Sequence, residues 1–132
     1  MKVVLDASAG LAAVLGQPSG SAVLDVLDGA SVVIAPELFA AEVTSGLWKY
    51  VVAGQLELDV AAERLDVALK LVDQYHSTGP LVQEVLREAS TRRHTVYDLC
   101  YAVLARREAA TVVTIDRRLR KLIAAMGLPL HP

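Results

Sequence analysis

Two aspartates stand where parallel strands are expected to end. Asp6 follows the apolar run 2–5 (KVVL), and Asp116 follows the run 111–115 (TVVTI). A helical pattern comes next in both places, so both carboxylates are expected at the carboxyl edge of a parallel sheet, where ligands bind in the crevice. Helix capping is the alternative role for each, because an aspartate oxygen readily accepts the free N–H groups of the following turn.

Two further carboxylates are harder to explain by local structure. Asp98 opens the most apolar helical stretch of the chain, where a partly desolvated charge needs a partner. A capping box from Thr95 to Asp98 is the alternative. Glu42 lies past the first turn of an apolar helical segment, and no residue three or four positions away is cationic. Its alternative role is an exposed polar stripe with Ser45 and Lys49.

These four acids have a defined chemistry if they share one cleft. Crowded carboxylates repel one another, so they either bind protons or hold a cation. With one cysteine and three scattered histidines, the chain offers an oxygen-rich site of the kind that suits Mg²⁺ or Mn²⁺ before zinc. Such an ion activates a bound water and neutralises charge on a phosphate. The pattern predicts metal-assisted hydrolysis of a phosphodiester, with one ion held by Asp6, Asp98 and Asp116, and with Glu42 completing or orienting the coordination.

Basic residues accompany two of the acids. Arg92 and Arg93 precede the third acid, and Arg117 and Arg118 follow the fourth. Cations near the start of a helix are unfavourable for its dipole, so their placement favours a role in holding a phosphate backbone. A solvated helix face is the alternative.

The rest of the chain alternates strand and helix patterns. Strands are predicted at 2–5, 31–35 and 111–115, with a very short one within 76–81 and a last one at 128–131. Helices are predicted at 7–15, 21–27, 38–52, 60–75, 81–92, 96–107 and 119–126, and Pro36 is expected at a first helical position. Strands separated by helices predict an α/β fold of three layers, a central parallel sheet with helices on both faces.

The composition fits one domain that spans residues 1–132. Of the 132 residues, 54% are hydrophobic and 21% charged, and 13 basic against 15 acidic residues give a net charge of −2. A nucleic acid must therefore be held by a local patch. A single cysteine allows no internal disulfide and suits a reducing cytoplasm. Interrupted apolar runs predict neither a signal peptide nor a membrane-spanning helix.

Other conspicuous side chains are assigned structural roles. Cys100 is predicted to be a small core residue, and the three histidines are expected at the surface. Trp48 and Tyr50 are expected to pack in a core or in a dimer face.

Four segments resemble the PIN domain nucleases, and among them the VapC-type toxins of prokaryotic toxin–antitoxin pairs. They occur in the family's order across nearly the whole chain: 3–8 (VVLDAS), 36–43 (PELFAAEV), Tyr97-Asp98, and 111–119 (TVVTIDRRL). Leu99 departs from the small residue that usually follows the third acid, which affects local packing more than chemistry.

The resemblance implies a function as well as a fold. It implies an Mg²⁺- or Mn²⁺-dependent endoribonuclease, a homodimer, and a small antitoxin whose segment fills the cleft. Carried over to this chain, the acidic quartet and its hydroxyl neighbours at the metal site would be Asp6, Glu42, Asp98 and Asp116, with Ser8 and Thr114.

Two rival functions belong to other classes. An aspartyl phosphotransfer enzyme would use Asp6 as its nucleophile, but Ser8 stands where a second aspartate is expected. A non-catalytic binding or regulatory protein on the same fold would be favoured by a missing acid, because fold does not determine function. None of the four acids is missing.

Overall fold

The computed structural model describes all residues from Met1 to Pro132. It contains four strands, seven α-helices and one short 3-10 helix. In chain order these are β1 (Lys2–Leu5), α1 (Ala7–Leu15), α2 (Gly20–Gly29), β2 (Val32–Pro36), α3 (Leu38–Val52), α4 (Leu58–Lys70), β3 (Gln74–His76), the 3-10 helix (Gly79–Leu81), α5 (Val82–Arg92), α6 (Val96–Glu108), β4 (Thr111–Val113) and α7 (Arg117–Ala125).

The strands form one parallel sheet in the order β3-β2-β1-β4. The central strand β1 pairs with β2 on one side and with β4 on the other, so the strand order reverses at β1. In open α/β sheets such a reversal creates a crevice at the carboxyl ends of the strands. The residues that follow β1 and β4 border this crevice.

Helices cover both faces of the sheet. Along β1 the side chains alternate: Val4 packs with residues of α5, α6 and α7, whereas Val3 and Leu5 pack with residues of α1, α3 and α4. The predicted three-layer α/β/α architecture is therefore confirmed. Helix α6 lies against β1, β2 and β4, and its residues 99–105 are all buried.

The predicted helix 60–75 is wrong at its end. Helix α4 stops at Lys70, and Gln74–His76 forms the edge strand β3. Asp73 shows why, because its N–H donates to the Val33 carbonyl at 2.8 Å and its carboxylate accepts from the Val33 N–H at 2.8 Å. This pairing with β2 overrides the helical periodicity, and the three residues of β3, two exposed and one half-buried, give no apolar run that would predict a strand.

Two other predicted boundaries are also wrong. Pro36 is the last residue of β2, not the first of a helix. Because β1 pairs with β2 only as far as Ile34, Pro36 lies beyond that ladder and its missing N–H is tolerated. The predicted strand 128–131 is reduced to one bridge between Val112 and Leu130.

The helices are short. No single one is long and apolar enough to cross a membrane, and the one pair that reaches that length together, α1 with α2, is bent by 111°.

Candidate active site

Four carboxylates line one open cleft of about 280 Å³ at the carboxyl edge of the sheet. Asp6 follows β1, Glu42 comes from α3, Asp98 from the first turn of α6, and Asp116 directly precedes α7. The fold thus brings together, from four separate elements, all the acids that the sequence singled out. Ser8 lines the same cleft.

Asp6 is the most deeply placed of the four, with 7% of its surface exposed. Its Oδ2 atom accepts hydrogen bonds from Ser8 Oγ at 2.5 Å, from Thr114 Oγ1 at 2.7 Å and from the Ser8 N–H at 3.3 Å. Burial raises the pKa of Asp6 above its ordinary value, although these hydrogen bonds act in the opposite direction. The charged form of Asp6 is therefore held at a cost to the fold.

The hydroxyls of Ser8 and Thr114 connect Asp6 to the loop after β4. Thr114 Oγ1 accepts from the Asp116 N–H at 3.0 Å, and Ser8 Oγ accepts from the Ile115 N–H at 3.2 Å. Each hydroxyl has one proton, which it donates to Asp6. Because the loop is held by these side chains, β4 ends at Val113 and the predicted strand 111–115 is two residues too long.

Asp116 has the capping role that the sequence allowed. Its Oδ1 atom accepts from the Arg118 N–H at 2.9 Å at the start of α7. Asp6 caps α1 in the same way through the N–H of Ser8. Capping and a place in the cleft are compatible, because a cap engages one carboxylate oxygen.

The capping box that was the alternative role for Asp98 is not formed. Thr95 is the N-cap of α6 but makes no side-chain capping bond, and Asp98 Oδ2 lies 2.8 Å from His94 Nε2 instead. Arg93 ends α5 in the left-handed conformation, with φ 52°, and the sharp turn brings His94 one helical turn ahead of Asp98. His94, predicted at the surface, has 18% of its side chain exposed.

Glu42 is partly buried, and its partner escaped sequence reasoning. The hydroxyl of Tyr101 donates to Glu42 Oε1 at 2.6 Å, and Tyr101 itself is 1% exposed. Helical spacing identifies only neighbours on the same helix, whereas Tyr101 lies on α6, three residues after Asp98. A tyrosine within an apolar helix was the available signal, because a buried hydroxyl needs a polar partner.

Burial raises the pKa of Glu42, and the hydrogen bond from Tyr101 acts against that change. The nearby charges of Asp6, Asp98 and Asp116 raise the pKa further. The four acids therefore repel one another within the cleft, as expected for a site that binds a cation.

Each carboxylate uses one oxygen for hydrogen bonds within the chain. The bonded atoms are Oδ2 of Asp6, Oε1 of Glu42, Oδ2 of Asp98 and Oδ1 of Asp116. The second oxygen of each remains available to a ligand. As they are positioned, no three Asp, Glu, His or Cys side chains are close enough to hold a metal ion. Even so, carboxylates with neighbouring hydroxyls are a donor set that fits a hard cation such as Mg²⁺ or Mn²⁺.

The four basic residues noted in the sequence divide into two pairs. Arg92 and Arg118 line a separate depression beside the cleft, whereas Arg93 and Arg117 do not line it.

Among the remaining assignments, Cys100 is confirmed as a core residue, and burial raises the pKa of its thiol. Trp48 is 59% exposed and so does not belong to the core. His76 is half-buried at the end of β3, and its Nε2 atom is buried without a hydrogen-bond partner.

We expect Glu42→Gln to raise the free energy of unfolding of the metal-free protein at pH 7. The amide keeps an oxygen that accepts from Tyr101 and removes the charge. A carboxylate whose folded pKa is raised opposes folding as the pH rises above its unfolded value. The gain should therefore be present at pH 7 and absent once the pH falls below the ordinary value of 4.5. Urea unfolding in EDTA measures both.

Matched variants separate this effect from others. Glu63→Gln removes an exposed charge from α4 and should change the free energy of unfolding by less than about 0.5 kcal/mol. Tyr101→Phe leaves Glu42 Oε1 without a donor and should lower it by about 1–3 kcal/mol. With Mg²⁺ present, the gain from Glu42→Gln should reverse. A change in the free energy of unfolding by Glu42→Gln that depends on neither Mg²⁺ nor pH would contradict the repulsion among the four acids.

Comparison with known proteins finds matches over nearly the whole chain. The PIN domain family profile matches residues 3–124. "Ribonuclease VapC3" of Pyrobaculum aerophilum is 28% identical over 131 residues, which cover 98% of this chain and 100% of the relative. "Ribonuclease VapC1" of Mycobacterium tuberculosis is 33% identical over 128 residues, which cover 96% of this chain and 92% of the relative.

A solved structure agrees with the fold. The crystal structure of VapBC2 from Rickettsia felis, bound to a DNA fragment from their promoter, superposes with a TM-score of 0.70 at 20% identity and covers 99% of this chain and 98% of that chain. With the family match over residues 3–124, these likenesses lead to one conclusion: this chain belongs to the PIN domain family.

Proposed function

We propose that this protein, as one domain over residues 1–132, is a metal-dependent endoribonuclease that acts as the toxin of a toxin–antitoxin pair. The observation that carries the proposal is the single cleft in which four carboxylates each keep one oxygen available. The similarity of this chain to relatives that are named ribonucleases supports the choice of RNA as substrate. The rival phosphotransfer role is less well supported, because the nucleophile Asp6 would be 7% exposed and already hydrogen-bonded to two hydroxyls.

The proposed ligands of an Mg²⁺ or Mn²⁺ ion are Asp6, Asp98 and Asp116, with Glu42 completing or orienting the coordination. A divalent ion bound there supplies an activated water and neutralises charge on the phosphate.

The chain's own part in the reaction is to orient these acids. Ser8 and Thr114 fix Asp6, while His94 and Tyr101 fix the acids of α6 and α3. Partners of this kind are typically worth about 10–100-fold in metal affinity or activity.

RNA cleavage tests the proposal directly. Purified protein should cut mixed RNA in Mg²⁺ or Mn²⁺ and lose that activity in EDTA. Asp98→Asn keeps the side-chain size but removes the charge, and should lower the rate by about 100-fold or more. The matched control Asp66→Asn changes an exposed aspartate of α4 and should cut at the parent rate.

Two outcomes would count against the proposal. Parent-rate cleavage by Asp98→Asn would mean that the assigned site is wrong. Undiminished cleavage in EDTA would refute the proposed dependence on a metal ion.

For the toxin role, induced expression of the parent chain in bacteria should slow growth, and expression of Asp98→Asn should not. Equal growth with both chains would argue against toxicity.

We also propose a homodimer. An apolar groove of about 240 Å³ runs between α3 and α4, lined by residues that include Leu47, Trp48, Val51 and Leu58. Exposed apolar patches of this kind mark sites of association. Light scattering over a concentration series should give about twice the chain mass of 14.1 kDa, whereas 14.1 kDa at every concentration would refute the dimer.

An antitoxin partner and a cytoplasmic location complete the proposal. The structural neighbour VapBC2 supports the antitoxin, and four carboxylates in one cleft suit an arginine from its inhibitory segment. The co-expressed complex should not cut RNA, so full cleavage by the complex would contradict inhibition.

Cytoplasmic RNA as substrate and a single buried cysteine fit a location in the cytoplasm. Finding the protein outside the cytoplasm in fractionated cells would contradict this location.

A further inference from the structure

A basic depression lies beside the acidic cleft, where the turn between α5 and α6 faces α7. It has a volume of about 500 Å³ and is lined by Arg92, His94, Arg118 and Lys121 over Leu122 and Ala125. No acidic side chain lines it. Since the whole chain has a net charge of −2, this concentration of cations is local.

Two residues connect the depression to the cleft. His94 lines the depression, and its Nε2 atom lies 2.8 Å from Asp98 Oδ2. Arg118 also lines it, and its backbone N–H donates to Asp116 Oδ1 at 2.9 Å. The basic depression therefore directly adjoins two of the four carboxylates.

Contacts with acids of the chain account for only part of the basic lining, in which His94 lies 2.8 Å from Asp98. Arg92 is bound to Glu88 at 2.7 Å, but Arg118 and Lys121 take part in none of the salt bridges. Both side chains belong to exposed residues. Arg118 also lies in the first turn of α7, where the helix dipole disfavours a positive charge. Their charges are available to an anion from outside the chain.

We propose that the basic depression binds a backbone phosphate of a nucleotide next to the scissile bond. The proposal rests on the proposed nuclease function and assigns the substrate's path across that site. A polyanion approaching four carboxylates is repelled, and neighbouring cations offset that repulsion by neutralising phosphates and releasing counterions. Contacts of this kind position the strand without reading its sequence.

The test measures RNA binding separately from cleavage. A short fluorescent single-stranded RNA is titrated with protein in EDTA over a KCl series, and binding is followed by fluorescence anisotropy. The double variant Arg118→Gln/Lys121→Gln should bind about tenfold more weakly at low salt. The slope of log K against log salt should become shallower by about 0.7 for each phosphate that the variant no longer neutralises.

A charge-matched control shows whether location or net charge is responsible. Arg64→Gln/Arg87→Gln removes the same charge from exposed positions outside the depression and should change affinity by less than about twofold. Polyglutamate serves as a second probe. The proposal requires that polyglutamate displace the fluorescent RNA far less effectively than unlabelled RNA of equal charge does. Equal displacement would indicate an unselective anion surface and overturn the proposal.

The remaining outcomes separate this inference from the nuclease function. Parent-like binding by Arg118→Gln/Lys121→Gln, or no RNA binding by the parent chain, would overturn the inference even if RNA is cut in Mg²⁺. Binding that depends on Arg118 and Lys121, without cleavage in Mg²⁺, would uphold the phosphate site and refute the nuclease.

Discussion

Mutual repulsion among four carboxylates at one edge of the sheet is the constraint on which the structure around them depends. Asp6 and Glu42 both have raised pKa values, for which burial is the largest cause, and the other acids add to the shift at Glu42. In the absence of a cation, folding must hold these charges together at a cost in stability. The cleft is thus a place where stability is given up for the ability to bind a positively charged ligand.

The core provides the rigidity that such an arrangement needs. Helix α6 is buried against three strands, and it carries both Asp98 and the hydroxyl that holds Glu42. The ends of β1 and β4 are tied together through Ser8 and Thr114 around Asp6. Because these donors engage one oxygen of each acid, the packing of the sheet and α6 determines where the remaining oxygens lie.

Local sequence patterns are sufficient to predict the elements and acids whose positions depend on nearby residues. The β-branched runs of β1, β2 and β4 and the acids beside them could be predicted, since burial on both faces of a parallel sheet leaves a clear signal. Strand β3 and the end of α4 could not, because the pairing of Asp73 with Val33 spans distant parts of the chain. The hydrogen-bond partners of the acids also divide into local ones, which could be predicted, and distant ones, which could not. Capping by Asp116 is local, whereas the contact of Tyr101 with Glu42 depends on how α3 meets α6.

An anomalous difference map from crystals soaked in Mn²⁺ tests most directly whether the available oxygens hold a divalent cation. We predict a peak in the cleft that would be held by the carboxylates of Asp6, Asp98 and Asp116, with Glu42 completing or orienting the coordination. The hydrogen bonds from Ser8, Thr114 and His94 should remain in place. A cleft without a peak at saturating Mn²⁺, or an ion bound elsewhere in the chain, would contradict this account.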